Sequence, residues 1–394
     1  VAQHRNIRLL MLFNFFLDLR LYLPVAILYF AQVTGSFATG MMVFSVIMIS
    51  SALWEVPTGI LSDQLGRKRT VILGAVASTA AVIFYAIGGT FAALAVGGIL
   101  EGLSRALYSG NNEALLYDTL AEQGHEAQFA EYSGKTRSMF QVAAAIASIV
   151  GSVLAYFSYP LVMWLSVIPQ ALNIIVSFFF HEPARQAPIQ QHPFAHLRES
   201  LRLVLANPRL RLLTLAGALS GSVGEASFQF RVAFIATLWP VWAIGISRMC
   251  SAIAAATGFY FAGRFIRRFG EYRLLVWGIT LSELINLVSL LIPTILSPLF
   301  MSTNSIFYGI NSTACGAMMQ HEFTSEQRAT MGSITSFAAS LLFGIAAPVV
   351  GAMADAWDTR TALLAATVVS VAWIYLYARA LASKSKRTPV LEGV

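Results

Sequence analysis

The sequence predicts an all-α integral membrane protein of 12 transmembrane helices in two pseudo-symmetric six-helix halves. Three observations carry this prediction: the composition, a series of separated apolar runs, and an internal repeat. Of 394 residues, 57% are hydrophobic and 11% charged, with a mean hydropathy of +0.68. An average soluble chain has roughly 45–50% apolar and about 25% charged residues. A globular protein of this size still needs a polar outer surface, so no core absorbs the excess. Soluble enzymes, disulfide scaffolds and disordered regulators are thereby excluded. The two cysteines, Cys250 and Cys315, lie in apolar runs and suggest neither a disulfide framework nor a metal site.

A membrane-spanning helix needs about 20 mostly apolar residues. In chain order such runs fall at 9–31, 37–61, 70–89, 91–117, 138–158, 160–181, 210–236, 238–262, 273–293, 296–319, 330–353 and 361–382. The first is long enough to be a span rather than a cleaved leader. An even number of spans puts both termini on one side. The joints alternate in charge. Arg5 and Arg8, Arg67 to Arg69, Lys135 and Arg137, Arg264 to Arg273, Arg328 and the stretch Arg379–Arg387 fall on the side of the termini, while Val33–Phe37 and Tyr156–Pro160 are short and nearly free of bases. The positive-inside rule then places both termini in the cytoplasm, here of a bacterial inner membrane. The net charge of +7 is accounted for by this topology, so nucleic acid is not expected as a partner.

The longest polar stretch, about His181–Pro208, contains Pro183, Pro188, Pro193 and Pro208. It reads as a linker with a short amphipathic piece around Phe194–Leu205. The expected organisation is an N-terminal half at 1–181, a cytoplasmic linker at 182–208 and a C-terminal half at 209–394. The halves echo one another at an offset near 200. Gly59-Ile-Leu-Ser-Asp63-Gln-Leu-Gly66-Arg-Lys-Arg69 follows span two, and Gly263-Arg-Phe-Ile-Arg267-Arg-Phe-Gly270-Glu-Tyr-Arg273 follows span eight. Tyr108, Asn111 and Asn112 of span four likewise match Tyr308, Asn311 and Ser312 of span ten. A duplicated six-helix unit marks many secondary transporters, whose substrate sits near the midplane between the halves.

Charged residues within spans cost about 2.5–3.5 kcal/mol each on insertion scales and therefore need a partner, a cavity or a function. Here they are Asp18, Arg20, Glu55, Glu101, Arg105, Glu113, Glu225, Arg248 and Glu283. Helical spacing sorts them. Asn14, Asp18 and Tyr22 form a stripe on span one; Glu101, Arg105, Ser109 and Asn112 on span four; Ser222, Glu225 and Gln229 on span seven; Asn304, Tyr308, Asn311 and Cys315 on span ten. Glu101 and Arg105, four apart, can neutralise each other. Arg20 lies roughly 200° around the helix from Asp18 and must find another partner. Glu55 suits either a proton site or a structural carboxylate bonded to span eleven. Arg248 and Glu283 are expected to pair, and Arg231 to snorkel towards the outer surface. Asp18 and Glu225 are the leading proton-coupling candidates, because burial favours the protonated form of a carboxyl. Tyr22, Trp54, Tyr108, Phe228 and Tyr308 accompany the stripes and are the aromatics expected in the cavity.

Gly59 to Arg69 resembles the loop-two motif of the major facilitator superfamily, G-x-L-x-D-x-x-G-R-[KR]-[KR]. Glu55-Val-Pro57-Thr-Gly59 is also similar to this superfamily, and Ser109-Gly-Asn-Asn-Glu113-Ala-Leu-Leu-Tyr-Asp118 resembles a stretch of bacterial efflux-type members. The resemblance spans the whole chain. It implies a cavity lined by spans one, four, seven and ten, the four that carry the polar stripes, and a monomer. It also implies that Asp63 contacts the N-terminus of span eleven near Ala329–Gly332, where the helix dipole favours negative charge. Arg67 would pair with Asp118, and Glu113 would join that gate. Gly59 and Gly66 would allow close approach and a tight turn.

The function expected is secondary active transport of a small amphipathic or zwitterionic organic solute by alternating access, as proton-coupled efflux. Uptake by proton symport is the alternative, because span five (Ala143–Ser152) lacks the Gly-Pro motif of drug–proton antiporters and Arg105-x-x-x-x-Gly110 is one residue longer than their usual spacing. Ser133-Gly-Lys135-Thr136 mimics a phosphate-binding loop, but the glycine required five residues before Gly134 is Phe129, so ATP is not the expected driver. No cofactor is expected. Enzyme motifs such as His-Glu-x-x-His and Gly-x-Ser-x-Gly are missing from the sequence, and no segment is long enough for the output domain of a sensor.

Overall fold

A computed structural model describes residues 2–122, 124–183, 202, 204–206, 208–322 and 325–382. The amphipathic piece expected at Phe194–Leu205, most of the linker, and the basic residues beyond 382 lie outside the described residues, as do the side chains at the start of span eleven.

The described chain is a bundle of helices that follows the apolar runs. Span one comprises Ala2–Asp18 and Ala26–Thr34, span two Phe37–Leu65, span three Arg67–Ile87, span four Phe91–Tyr108 and Asn111–Ala121, span five Phe129–Phe157 and span six Tyr159–Phe178. The second set is Pro208–Leu238, Val241–Phe269, Glu271–Leu291, Ser297–Glu322, Ser325–Ala356 and Thr359–Ala382, spans seven to twelve. Among the described residues ten of these helices are apolar and long enough to cross a membrane, and the two left over are spans seven and ten. Their apolar runs are interrupted by Glu225, Gln229 and Arg231 and by Asn304 and Asn311. The duplication persists in the backbone. Gly66 and Gly270 both end a helix and begin the next with positive φ, 96° and 79°, a conformation for which glycine is the default residue.

Spans one and four are each broken, whereas the apolar runs alone predicted continuous helices. In span one Pro24 has no amide hydrogen to donate, and Leu23–Val25 forms a short 3-10 turn. In span four the break falls at Ser109–Gly110. Free backbone groups inside a membrane must be bonded by the protein itself, and those in span one are. Gln170 of span six donates to the carbonyls of Phe16 and Leu17 at 3.0 and 3.2 Å, the Arg20 Nε donates to Leu17 at 3.0 Å, and the Tyr22 amide donates to the Ser166 hydroxyl at 3.2 Å.

Three apolar cores hold the bundle. One joins both halves, packing Val25, Phe30, Met41, Phe44 and Ile47 with Phe230, Phe234, Phe343, Ala347 and Val350. The other two are confined to single halves. Ile7, Leu10, Phe13, Val71, Leu115 and Phe180 form one, and Leu210, Leu213, Leu275, Met318 and Trp373 the other. The shared core lies toward the end away from the termini, here called the far end, and the separate cores lie at the end that carries them. Among the described residues the halves are thus closed together at the far end and parted at the terminal end.

Backbone approaches close the far end. A Cβ at Gly245 of span eight would lie 2.2 Å from the Ser148 carbonyl of span five, and one at Gly351 of span eleven 2.4 Å from the Phe37 carbonyl of span two. The Phe37 ring packs edge-on against Phe230 of span seven at 5.3 Å. Gly245→Val is therefore expected to hold spans five and eight apart. With spin labels at Tyr156 and Trp242, in a background with Cys250 and Cys315 replaced by serine, the measured distance should lengthen while the protein still elutes as a single folded species.

Candidate functional site

Glu101, at mid-depth in span four, is the residue that the interrupted part of span one meets. It is 2% exposed. One oxygen accepts from Arg20 at 2.6 Å and from the Nε and Nη2 of Arg105 at 3.1 and 2.8 Å. The other accepts from the hydroxyls of Tyr22 at 3.1 Å and Tyr85 at 2.9 Å. The two tyrosine rings pack edge-on at 5.5 Å. The break in span one brings Arg20 to this point, because a continuous helix would carry it away from the Asp18 face. Every lone-pair direction of a buried carboxylate is thus used, which such a charge requires.

The two arginines differ in surroundings. The Arg20 side chain is 9% exposed and that of Arg105 39%. Arg105 spends two N–H groups on Glu101, and its others have no bond among the described residues. Asp18 ends the first piece of span one and lies within the electrostatic reach of Arg20 and Arg105. Among the described residues its carboxylate has no hydrogen bond or ion pair.

The C-terminal wall is assembled differently. Glu225 accepts from Gln229 at 2.6 Å, and the Arg248 guanidinium lies over the Phe228 ring at 4.3 Å. The expected Arg248–Glu283 pair is not among the ion pairs of the described residues. Arg231 does not snorkel; it donates to the Met301 carbonyl at 3.1 Å and to Asn286 at 3.3 Å, inside the half. Asn304 donates to the same Asn286 oxygen at 2.5 Å. Asn311 abuts Gly278 of span nine, so these two amides turn to span nine. Tyr308 is exposed and packs edge-on against Phe259 of span eight at 6.0 Å.

In the N-terminal half Tyr108 is buried against Phe13 and Gly74, inside the half rather than at an open wall. Asn112, beyond the break, is 3.5 Å from Asn14. Glu55 is exposed and accepts from Ser109 of span four at 2.7 Å, and among the described residues it has no bond to span eleven. Trp54 beside it is also exposed.

At the terminal end Arg67 reaches Asp118 at 3.3 Å, as the loop motif implied, and also Ser62 at 3.0 Å. Asp63 has 61% of its side chain exposed; among the described residues its partner is Arg67 at 3.5 Å. Glu113 pairs with Arg137 of span five instead of joining Asp118. Gly66 supplies the tight turn, whereas a Cβ at Gly59 would meet nothing within 4 Å among the described residues. Sequence spacing gave no sign of Glu182. Its two oxygens accept from the Arg67 and Lys68 amides at 2.7 and 2.8 Å, capping span three from the start of the linker. Tyr85 was equally hidden, since spacing within one helix says nothing of a partner on another.

Two sets of six helices, parted at one end around buried charges and broken spans, define a membrane transporter. The chain belongs to the Major Facilitator Superfamily, whose family model matches residues 8–303 and 239–393. Its helices are embedded in the bilayer. Among solved structures it is similar to the nucleoside transporter NupG, with a TM-score of 0.81 at 16% identity, covering 95% of this chain and 99% of that one. It also resembles a bacterial homologue of the human lysosomal transporter Spinster in an inward-facing, unoccupied conformation, with a TM-score of 0.77 at 16% identity over 96% and 97% of the two chains. These likenesses show the fold. A Na(+), Li(+), K(+)/H(+) antiporter of Planococcus maritimus is 26% identical over 188 residues, which cover 45% of this chain and 43% of that protein. The match thus spans less than half of that relative.

The Glu101 centre sets the expected pattern of damage. Glu101→Gln strands two guanidiniums and should cost about 3–5 kcal/mol of stability, read as a lower melting temperature in detergent. Arg105→Gln should cost less than Arg20→Gln, because the Arg105 head is partly solvated.

Proposed function

We propose that this chain exports a small zwitterionic or amphipathic organic solute from the bacterial cytoplasm by alternating access, in exchange for protons, as a monomer in the inner membrane with both termini cytoplasmic. The observation that carries the reading is the interruption of span one beside the buried Glu101, between the closed far end and the parted terminal end. Discontinuous helices near mid-depth are where transporters of this kind bind substrate and coupling ions. With the termini inside, the parted end faces the cytoplasm.

Within that reading Arg105 receives a carboxylate or other anionic group of the solute, and Glu225 on the opposite wall receives a cationic one. Phe228 and Arg248 offer a face for an aromatic or planar body. Glu101 is the positioning residue that keeps Arg105 aimed. Asp18 carries the proton: among the described residues its carboxylate has no bonded partner, and its charge acts on Arg20 and Arg105 through space. The partial antiporter relative supports exchange against protons. The absent Gly-Pro motif of span five supports the second reading, proton-driven uptake through the same cavity.

The test uses everted vesicles with a preformed acid-inside gradient, to which organic solutes are added. Solute-triggered collapse of the gradient is expected, lost in Asp18→Asn. Arg105→Gln should abolish the response to carboxylate-bearing solutes while leaving the protein folded. Absence of any collapse, with solute accumulating in whole cells, would reject export in favour of uptake.

A further inference from the structure

Spans two and eleven lie side by side and run in opposite directions, and at the far end the C-terminal end of span eleven adjoins the N-terminal end of span two. At the far end the last turn of span eleven carries Asp355. Its two oxygens accept from the Phe37 and Ala38 amides of span two, each at 2.8 Å. Those are the first two amides of that helix, which have no partner within it. The next, from Thr39, is taken by the Ser36 hydroxyl at 3.1 Å. The start of span two is therefore capped, and two-thirds of the cap comes from the other half of the molecule.

Such an arrangement has only one favourable geometry. A carboxylate in the last turn of a helix sits at the negative end of its own dipole and is disfavoured there. Asp355 escapes that penalty by lying against the positive end of span two. If the far end opens, the acid returns to its own helix terminus and two amides lose a charge-assisted acceptor. The other caps of this kind do not depend on the halves meeting. Glu182 caps span three within one half, and Asp358 bonds the amide and hydroxyl of Thr361 on its own helix at 2.7 and 2.9 Å. At the opposite end of the same helix pair Asp63 occupies the matching place, in the last turn of span two, and is largely exposed.

We propose that Asp355 is a gating residue: a far-end latch, formed only when the far end is closed, that works against Asp63 on the same pair of helices. Each acid then stabilises one of the two states, and one latch is released as the other engages. The inference rests on the alternating-access reading.

The test places spin labels at Gln32 and Trp357, both exposed at the far end, in the serine background described above. Asp355→Asn is expected to raise the ratio of open to closed distances roughly tenfold. Asp63→Asn should lower it, and Asp358→Asn, which removes a nearby charge without touching span two, should leave it unchanged. Gly245→Val serves as the forced-open reference. If Asp355→Asn matches wild type while Gly245→Val lengthens the distance, the latch is overturned and alternating access stands. If neither variant opens the far end, alternating access itself fails. Should Asp355→Asn not fold, hydrogen exchange reports the same contact without it. The Phe37 and Ala38 amides should exchange faster in Gly245→Val than in the unsubstituted protein, and equal rates would refute the latch.

Discussion

The carboxylate of Glu101 is the constraint from which the rest of the N-terminal half follows. An ionised group at mid-depth in a bilayer is tolerated only when its charge and its lone pairs are both met. Meeting them takes Arg105 one turn along the same helix, Arg20 and Tyr22 from the interrupted part of span one, and Tyr85 from span three. The interruption of span one is thus no defect in the bundle. It lets residues two apart in sequence, Asp18 and Arg20, face different surroundings, and its free carbonyls are bonded by Gln170 and by Arg20 itself. The cost of the break and the cost of the buried acid are offset by the same few side chains.

The two walls of the cleft solve the problem of buried charge by different chemistry. In the N-terminal half the ions are bound to one another. In the C-terminal half the arginines lean on carbonyls, amides and an aromatic face, through Met301, Asn286 and Phe228. The first arrangement is stiff, because removing Glu101 strands both guanidiniums. The second leaves its cations only partly satisfied and more responsive to whatever enters between the halves.

Much of the architecture was legible in the sequence, because length and apolarity fix a membrane helix with little help from neighbours. The repeat was legible for a similar local reason: Gly66 and Gly270 meet the same turn requirement. What escaped was whatever depends on which helix stands beside which. Periodicity groups Asn304, Tyr308 and Asn311 on one helix, yet two of them turn to span nine and the third packs against span eight. It placed Tyr22 on the stripe of Asn14 and Asp18, although the helix ends at Asp18. Arg20 was rightly judged to need a partner, but the partner lies 81 residues away. Glu182 and Asp355 gave no signal, since a carboxylate that caps a distant helix looks like any other polar residue at the end of a span.

The glycine seams at the far end bear on how fast the molecule can change shape. Where Gly245 meets Ser148 and Gly351 meets Phe37, backbone rests on backbone. A seam knit from long side chains would freeze many rotamers each time it closed, at about 0.5–2 kcal/mol per chain. Glycine has no rotamers to freeze, so closing and parting here carry almost no side-chain entropy. At these two seams the barrier to parting is not raised by the re-sorting of side chains, which falls instead on the apolar core around Phe37 and Phe230. A machine that must open and close once per molecule carried gains turnover from a joint of that kind.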